Sequence, residues 1–247
     1  MNEGEPKRRA VRWVLIMGGV LIAAASIALY TPWLSLFDLR EIVVSGNQHV
    51  SAHEIGRISG FVQGENLLTA AVGRAAQRLE TLPWVASVSI HRMLPHTLGV
   101  KIQERTPTAV LVGPGTPPTY WLLGTGGVVV QTVSGTSPQL PTVSGATLTG
   151  TQPGARVADP RIPQTLSTLA SKQLDGKVLQ RIDFSDPTDV TLHGEGDLVV
   201  QLGPLDGISS RIDQLAVLLD TIDLSKYRSI DMRIGGEATL VPRKVNR

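Results

Sequence analysis

The hydrophobic positions of this chain change period several times, and each change marks an element. From Trp13 to Phe37 no residue is charged, and the apolar run Trp13–Leu29 continues through Tyr30, Trp33 and Leu34. About 20 residues rising ~1.5 Å each make roughly 30 Å, the thickness of a bilayer's hydrocarbon core, so one transmembrane helix is expected over residues 13–34. Leu39–Ser45, rich in Ile42, Val43 and Val44, reads as a strand that ends in a Gly46-Asn47 turn. A helix follows: Ser51 and Glu54 have capping-box spacing, Val50 and Ile55 hold the staple positions, and Gly60 supplies the stop. A second helix from about Thr69 to Thr81 places Leu68, Val72, Ala76 and Leu79 on one face, and Pro83 closes it. Val88 and Ile90 then alternate with Ser87, Ser89 and His91, while Leu98, Val100 and Ile102 alternate with Gly99, Lys101 and Gln103. These are two strands with Pro95-His96 in the turn between them.

The order β-α-α-β-β is that of a compact α+β unit with its helices on one face of a small sheet. Beyond Ala109 the texture changes. Val110–Tyr120 is rich in Gly and Pro, after which Trp121-Leu122-Leu123 and Val128-Val129-Val130 flank Gly124-Thr125-Gly126-Gly127 as a hairpin. Residues 131–160, dominated by Ser, Thr, Gly and Pro, are expected to be irregular surface chain. A helix from Ile162 carries Ile162, Leu166, Leu169 and Leu174. Strands follow at Val178–Phe184, Asp189–His193 and Leu198–Gly203, with His193-Gly194-Glu195-Gly196-Asp197 as the tight connection between the last two. The helix Ile208–Ile222 repeats Ile208, Ile212, Leu215, Leu219 and Ile222, a core stripe rather than a coiled-coil seam. A last strand, Ser229–Ile234, alternates Ile230, Met232 and Ile234 with Asp231 and Arg233, and a short segment through Leu240 is expected to pair back on it.

Charge and composition sharpen this picture. Lys7, Arg8, Arg9 and Arg12 against Glu3 and Glu5 account for the whole net charge of +2, leaving 19 residues of each sign after residue 12 from totals of 23 and 21. A neutral remainder lacks the footprint that phosphate binding needs, so nucleic acid is excluded as a partner. The same basic cluster, on the amino side of the apolar segment, puts the amino terminus in the cytoplasm and everything after Pro32 outside. Ala23-Ala24-Ala25 and Ser26-Ile27-Ala28 leave a cleaved signal peptide as the alternative, but the apolar run past both sites favours retention, and either way the bulk is exported.

Candidate chemistry is thin. The absence of cysteine removes disulfides, thiol catalysis and cysteine metal sites. His49 and His53 are four apart, but His49 precedes the cap at Ser51, so one helical face does not present both; His91, His96 and His193 have no ligand-like spacing. Gly124-x-Gly126-Gly127 leads into no helix and reads as a turn, not a phosphate loop. Ser-x-x-Lys and Gly-x-Ser-x-Gly do not occur. Asp183 and Asp186, beside Pro187, read as turn formers. No catalytic, metal or cofactor residue is therefore nominated.

Four motifs stand in a fixed order: Leu67-Leu68 before the second helix, Leu82-Pro83-Trp84-Val85 after it, Arg92-x-x-Pro95 in the hairpin and Glu104-Arg105-Thr106-Pro107 at the exit. Together with the preceding apolar segment and basic tail, they resemble the POTRA domain of the FtsQ/DivIB cell-division family. The second half is similar to the β domain of that family, and Asp231-Met232-Arg233 matches the family's Asp-Leu-Arg apart from the Met. The resemblance implies a cytoplasmic tail over 1–12, a membrane helix over 13–34, a POTRA domain over 37–106, a mainly antiparallel β domain with packed helices over 107–241, and a tail over 242–247. It implies a non-catalytic, single-pass scaffold of the division septum that uses no cofactor. Its expected partners are FtsB-like and FtsL-like proteins, with the septal synthase complex FtsW/FtsI beyond them. By position, Asp231–Val241 corresponds to the family's FtsB-binding edge, where Asp231, Arg233, Ile234, Glu237, Ala238 and Thr239 are the expected contact residues. The fitting mechanism is strand addition. Two other classes stay open: a membrane-anchored cell-wall enzyme, which needs a catalytic constellation, and a POTRA-containing secretion or assembly component, which needs further repeats or barrel strands.

Overall fold

The computed structural model describes residues 16–26, 36–172, 174, 179–234 and 237–243. Residues 16–26 are helical (α1), with Ile16, Met17, Val20, Leu21 and Ile22 exposed. Among the described residues no helix is long and apolar enough to cross a membrane. The basic tail and part of the span expected over 13–34 lie outside the described residues. The chain divides into two compact units, one formed by the residues before Glu80 with Ser87–Gln103, the other by Glu80–Ala86 with the residues from Glu104 onward.

The first unit carries β1 (Glu41–Ser45), α2 (Ala52–Ser59), α3 (Val72–Glu80) and the hairpin β2 (Val85–Met93) and β3 (Thr97–Glu104). The sheet order is β1-β3-β2, with β1 parallel to β3. α2 starts as its sequence dictates: Ser51 Oγ accepts the Glu54 N–H at 3.1 Å, satisfying a first-turn donor that would otherwise be orphaned. Val50 and Ile55 are buried beside this cap, and Gly60 closes the helix in the left-handed conformation at φ 71°. α3 begins later than its hydrophobic spacing suggests. Asn66 Oδ1 accepts the Leu68 N–H at 2.9 Å, so Leu67–Thr69 form a turn that buries Leu67 and leaves Leu68 exposed rather than on the helix face. Leu67 joins Leu39 and Leu98 in the core. The Arg92-x-x-Pro95 motif has a mechanical role here: Arg92 donates to the carbonyls of Leu67 (2.6 Å) and Ala70 (2.9 Å), fastening the end of β2 to that turn.

The second unit is a nine-stranded sheet with α4 (Arg161–Ser171) and α5 (Ile208–Leu219). Its strands are β4 (Pro107–Val112), β5 (Tyr120–Gly124), β6 (Val128–Val133), β7 (Thr142–Ser144), β8 (Arg181–Asp183), β9 (Val190–His193), β10 (Val199–Gly203), β11 (Tyr227–Asp231) and β12 (Thr239–Pro242). Their order is β12-β11-β10-β9-β8-β7-β4-β5-β6. Directly opposed residues share a face of a sheet. One such row crosses eight strands, from Trp121 through Leu111, Val143, Ile182, Leu192, Val200 and Ile230 to Leu240. All but Leu240 are buried, and with Ile162, Leu166 and Leu169 of α4 and Ile208, Ile212 and Leu215 of α5 they make one continuous core. Lys172 and Asp213, 2.6 Å apart, tie the end of α4 to α5. The motif at Leu82-Pro83-Trp84 is held to Arg105, which donates from its backbone to Trp84 O and from Nε to Pro83 O.

The structure departs from the expectations at five places. Residues 131–160 are not merely surface chain: Thr142–Ser144 form β7 between β4 and β8, with Val143 fully buried. Pro107–Val112, within and before the Gly- and Pro-rich stretch, is a strand whose register against β5 shifts between Pro107 and Ala109. The last long strand ends at Asp231, so Ile234 leaves the alternation and is exposed, although Met232 stays buried. Leu174 is buried but lies past the end of α4. For the strand expected over Val178–Phe184, residues 181–183 form β8 and Val178 lies outside the described residues.

Candidate partner-binding edge

β12 ends the strand order of the second unit and, among the described residues, pairs only with β11, antiparallel, in the register Asp231↔Thr239, Ile230↔Leu240 and Ser229↔Val241. An edge strand presents unpaired backbone donors and acceptors on its outer flank, which is a template for another strand. Thr239 to Pro242 run back antiparallel to β11, and before them the Glu237 N–H donates to Ile234 O at 3.3 Å. Ile234, Glu237, Ala238 and Thr239 are all exposed.

Asp231 and Arg233 behave differently from those four. Arg233 grips Asp231 through Nη2–Oδ2 (2.6 Å) and Nε–Oδ1 (3.0 Å), and Nη1 lies 3.5 Å from Asp189 Oδ2 at the start of β9. The Arg233 hydrogen bonds hold the Asp231 carboxyl below its ordinary range, and Asp231 in turn raises the guanidinium. This pair braces the end of β11, with much of its hydrogen-bonding capacity used internally. Leu240 is absent from the expected contacts, yet it is the half-buried end of the core row and sits on the edge itself. No local signal marks it, because its neighbour Ile230 is set by pairing across the reversal. Beside the edge, Glu237 and Ala238 line a shallow cleft with Gln214, Val217, Leu218 and Thr221 of and after α5.

Elsewhere the polar candidates are local. Asp183 Oδ1 accepts from the Ser185 N–H and hydroxyl, and Asp186 Oδ1 accepts from those of Thr188, as turn formers do. Burial, aided by Arg181, lowers the pKa of His193 in β9. Among the described residues no three of His, Asp and Glu gather closely enough to hold a metal ion.

Residues 37–105 match the family model of the FtsQ-type POTRA domain. A cell division protein FtsQ of Syntrophotalea carbinolica is 25% identical across 94% of this chain and 91% of its own length. That of Koribacter versatilis is 29% identical across 77% of this chain and 56% of the relative, and a cell division protein DivIB of Staphylococcus aureus is 35% identical across 28% of this chain and 16% of the relative. The chain is similar to the FtsQ/DivIB proteins over most of its length, and residues 37–105 carry the FtsQ-type POTRA domain. Within that FtsQ-type frame, the four ordered motifs acquire physical roles. Arg92 and Arg105 each reach backbone carbonyls of another motif, Leu67 and Pro83 respectively, so each motif is one half of a fastening.

Proposed function

We propose that this chain is a non-catalytic, membrane-anchored scaffold of the cell-division machinery, with its amino terminus cytoplasmic and its two folded units outside. It captures an FtsB-like or FtsL-like segment by strand addition to β12 and through it helps control septal peptidoglycan synthesis by the FtsW/FtsI complex. The observation that carries the binding mode is the place of β12 at the end of the sheet with Leu240 closing the buried row. A segment laid along β12 gains backbone hydrogen bonds for affinity, and an apolar side chain opposite Leu240 extends the core row by one position. Ile234, Glu237, Ala238 and Thr239, exposed around the edge, supply the choice of partner. Asp231 and Arg233 fix the shape of that edge.

The test is a proline scan of the edge. Successive residues of an antiparallel strand point their N–H alternately toward the neighbour and away. Of Thr239→Pro and Leu240→Pro, one therefore removes an outward donor and abolishes capture with an unchanged melting temperature, while the other loosens the β11 pairing and lowers it. Leu240→Asp should abolish capture and septation by placing a charge at the end of the core row. Normal partner capture by all three variants would refute the edge assignment, and turnover of peptidoglycan by the purified chain would refute the scaffold reading.

A further inference from the structure

One end of the first unit's sheet, where β1 and β3 begin and β2 finishes, gathers apolar side chains that the unit's own core does not use. Leu36, Leu68, Met93 and Leu94 are 49%, 51%, 54% and 55% exposed, although Leu39, Leu67 and Leu98 close the core beneath them. Three backbone fastenings bring their separate stretches together. The Leu67 N–H donates to Phe37 O at 2.8 Å, setting Leu36 beside the Leu67-Leu68 turn. Arg92 pins the end of β2 to the same turn through Leu67 O and Ala70 O. The Arg40 N–H donates to His96 O at 2.9 Å, drawing the hairpin turn to the start of β1.

The chain itself indicates what covers these side chains. Leu36 directly follows the uncharged stretch 13–35, so if that stretch crosses the bilayer, as proposed above and as this inference requires, the leucine emerges at the membrane surface beside the other three. We propose that Leu36, Leu68, Met93 and Leu94 form a lipid-contacting patch that seats the first unit on the outer face of the bilayer. The flanking charges are Arg40 and Arg92 against Asp38, Glu41 and Glu65, which is no cationic surplus. Seating therefore depends on inserting apolar side chains at the interface and not on anionic headgroups.

The chain contains no cysteine, so single-cysteine variants can be labelled without background. The full chain is reconstituted in phosphatidylcholine nanodiscs with a bimane label at Leu21→Cys, Leu68→Cys, Leu94→Cys or Ala52→Cys, the last on the first turn of α2, near the opposite end of β1. Nitroxide lipids carrying the radical at the headgroup or mid-chain then quench the label by depth. The expected result is mid-chain quenching at position 21, headgroup-level quenching at 68 and 94 several-fold stronger than at 52, and no change when a third of the lipid is anionic. A charged maleimide should also react several-fold more slowly at 68 and 94 than at 52 in the same nanodiscs. Quenching at 21 with 68 and 94 no different from 52 overturns the lipid patch, assigns these side chains to a protein neighbour and leaves the membrane span standing. Absence of quenching at 21 overturns the span and the patch with it.

Discussion

Arg233 folds back on Asp231, its Nη2 2.6 Å from Oδ2, and so closes the end of β11 on itself just where the chain turns toward the edge strand. The arginine is half-exposed, which keeps the contribution of the pair small. Its sign is nevertheless fixed: the Asp231 pKa is lowered on folding, chiefly by the Arg233 hydrogen bonds, so the contact stabilises the fold fully above the unfolded-state value of about 3.9 and is lost as pH falls through the lower folded-state value. Arg233→Gln should unfold at lower urea concentration than the parent at pH 7, and the gap should close in acid. A gap that stays constant down to the acid limit would mean that the arginine acts through packing against its neighbours.

The cap of α2 gives a second, cleaner test. Ser51→Ala removes the acceptor for the Glu54 N–H and should cost about 1 kcal/mol in urea unfolding, while Ser51→Asp should restore most of it. Equal midpoints for all three chains would show that the hydrogen bond is replaced by water at no cost.

Two glycines with nearly the same backbone should respond differently to alanine. Gly60 and Gly145 have φ of 71° and 77°, so each substitution carries a left-handed penalty of about 1 kcal/mol. At Gly60 the added methyl meets the terminal guanidinium of Arg78, which can swing aside, whereas at Gly145 it meets the backbone of Phe184 and Ser185. Thermal melts should place Gly145→Ala well below Gly60→Ala, and the reverse order would contradict the close approach of the strands there.

Val143→Ala tests whether β7 is part of the core. Removing two methylene equivalents from a fully buried site should cost about 2 kcal/mol, at ~0.8 kcal/mol each plus the cavity left behind. Val217→Ala on the exposed side of α5 should stay within about 0.5 kcal/mol. A neutral Val143→Ala would return residues 131–160 to the status of surface chain.

The features legible in the sequence are those encoded within a few residues. Ser51, Glu54 and Gly60 announce α2 because caps are local chemistry, and the Ile208 to Ile222 repeat announces α5 because its period is internal. β7 escaped because three residues have no measurable period and Val143 owes its burial to Leu111 and Ile182, which lie 32 and 39 positions away. β4 escaped for a related reason: Ala109, Val110 and Leu111 are all buried, so no polar alternation marks the strand between its two neighbours. At the candidate edge, Glu237 to Thr239 could be nominated by position. Leu240 emerges only when register is known, and the mutual engagement of Asp231 and Arg233 only when their rotamers are.

Three-residue β7 joins β4 and β8, both in parallel pairing, and among the described residues it is the one strand connecting the β4-β5-β6 plate to the plate that runs from β8 to β12. A partner strand added to β12 as proposed would load a structure whose narrowest rivet lies five strands inboard, at Val143. Under tension the sheet should part along that seam, with α4 as the strap across it, so a strand added to the edge would have to let go at a force below the one that splits the plates.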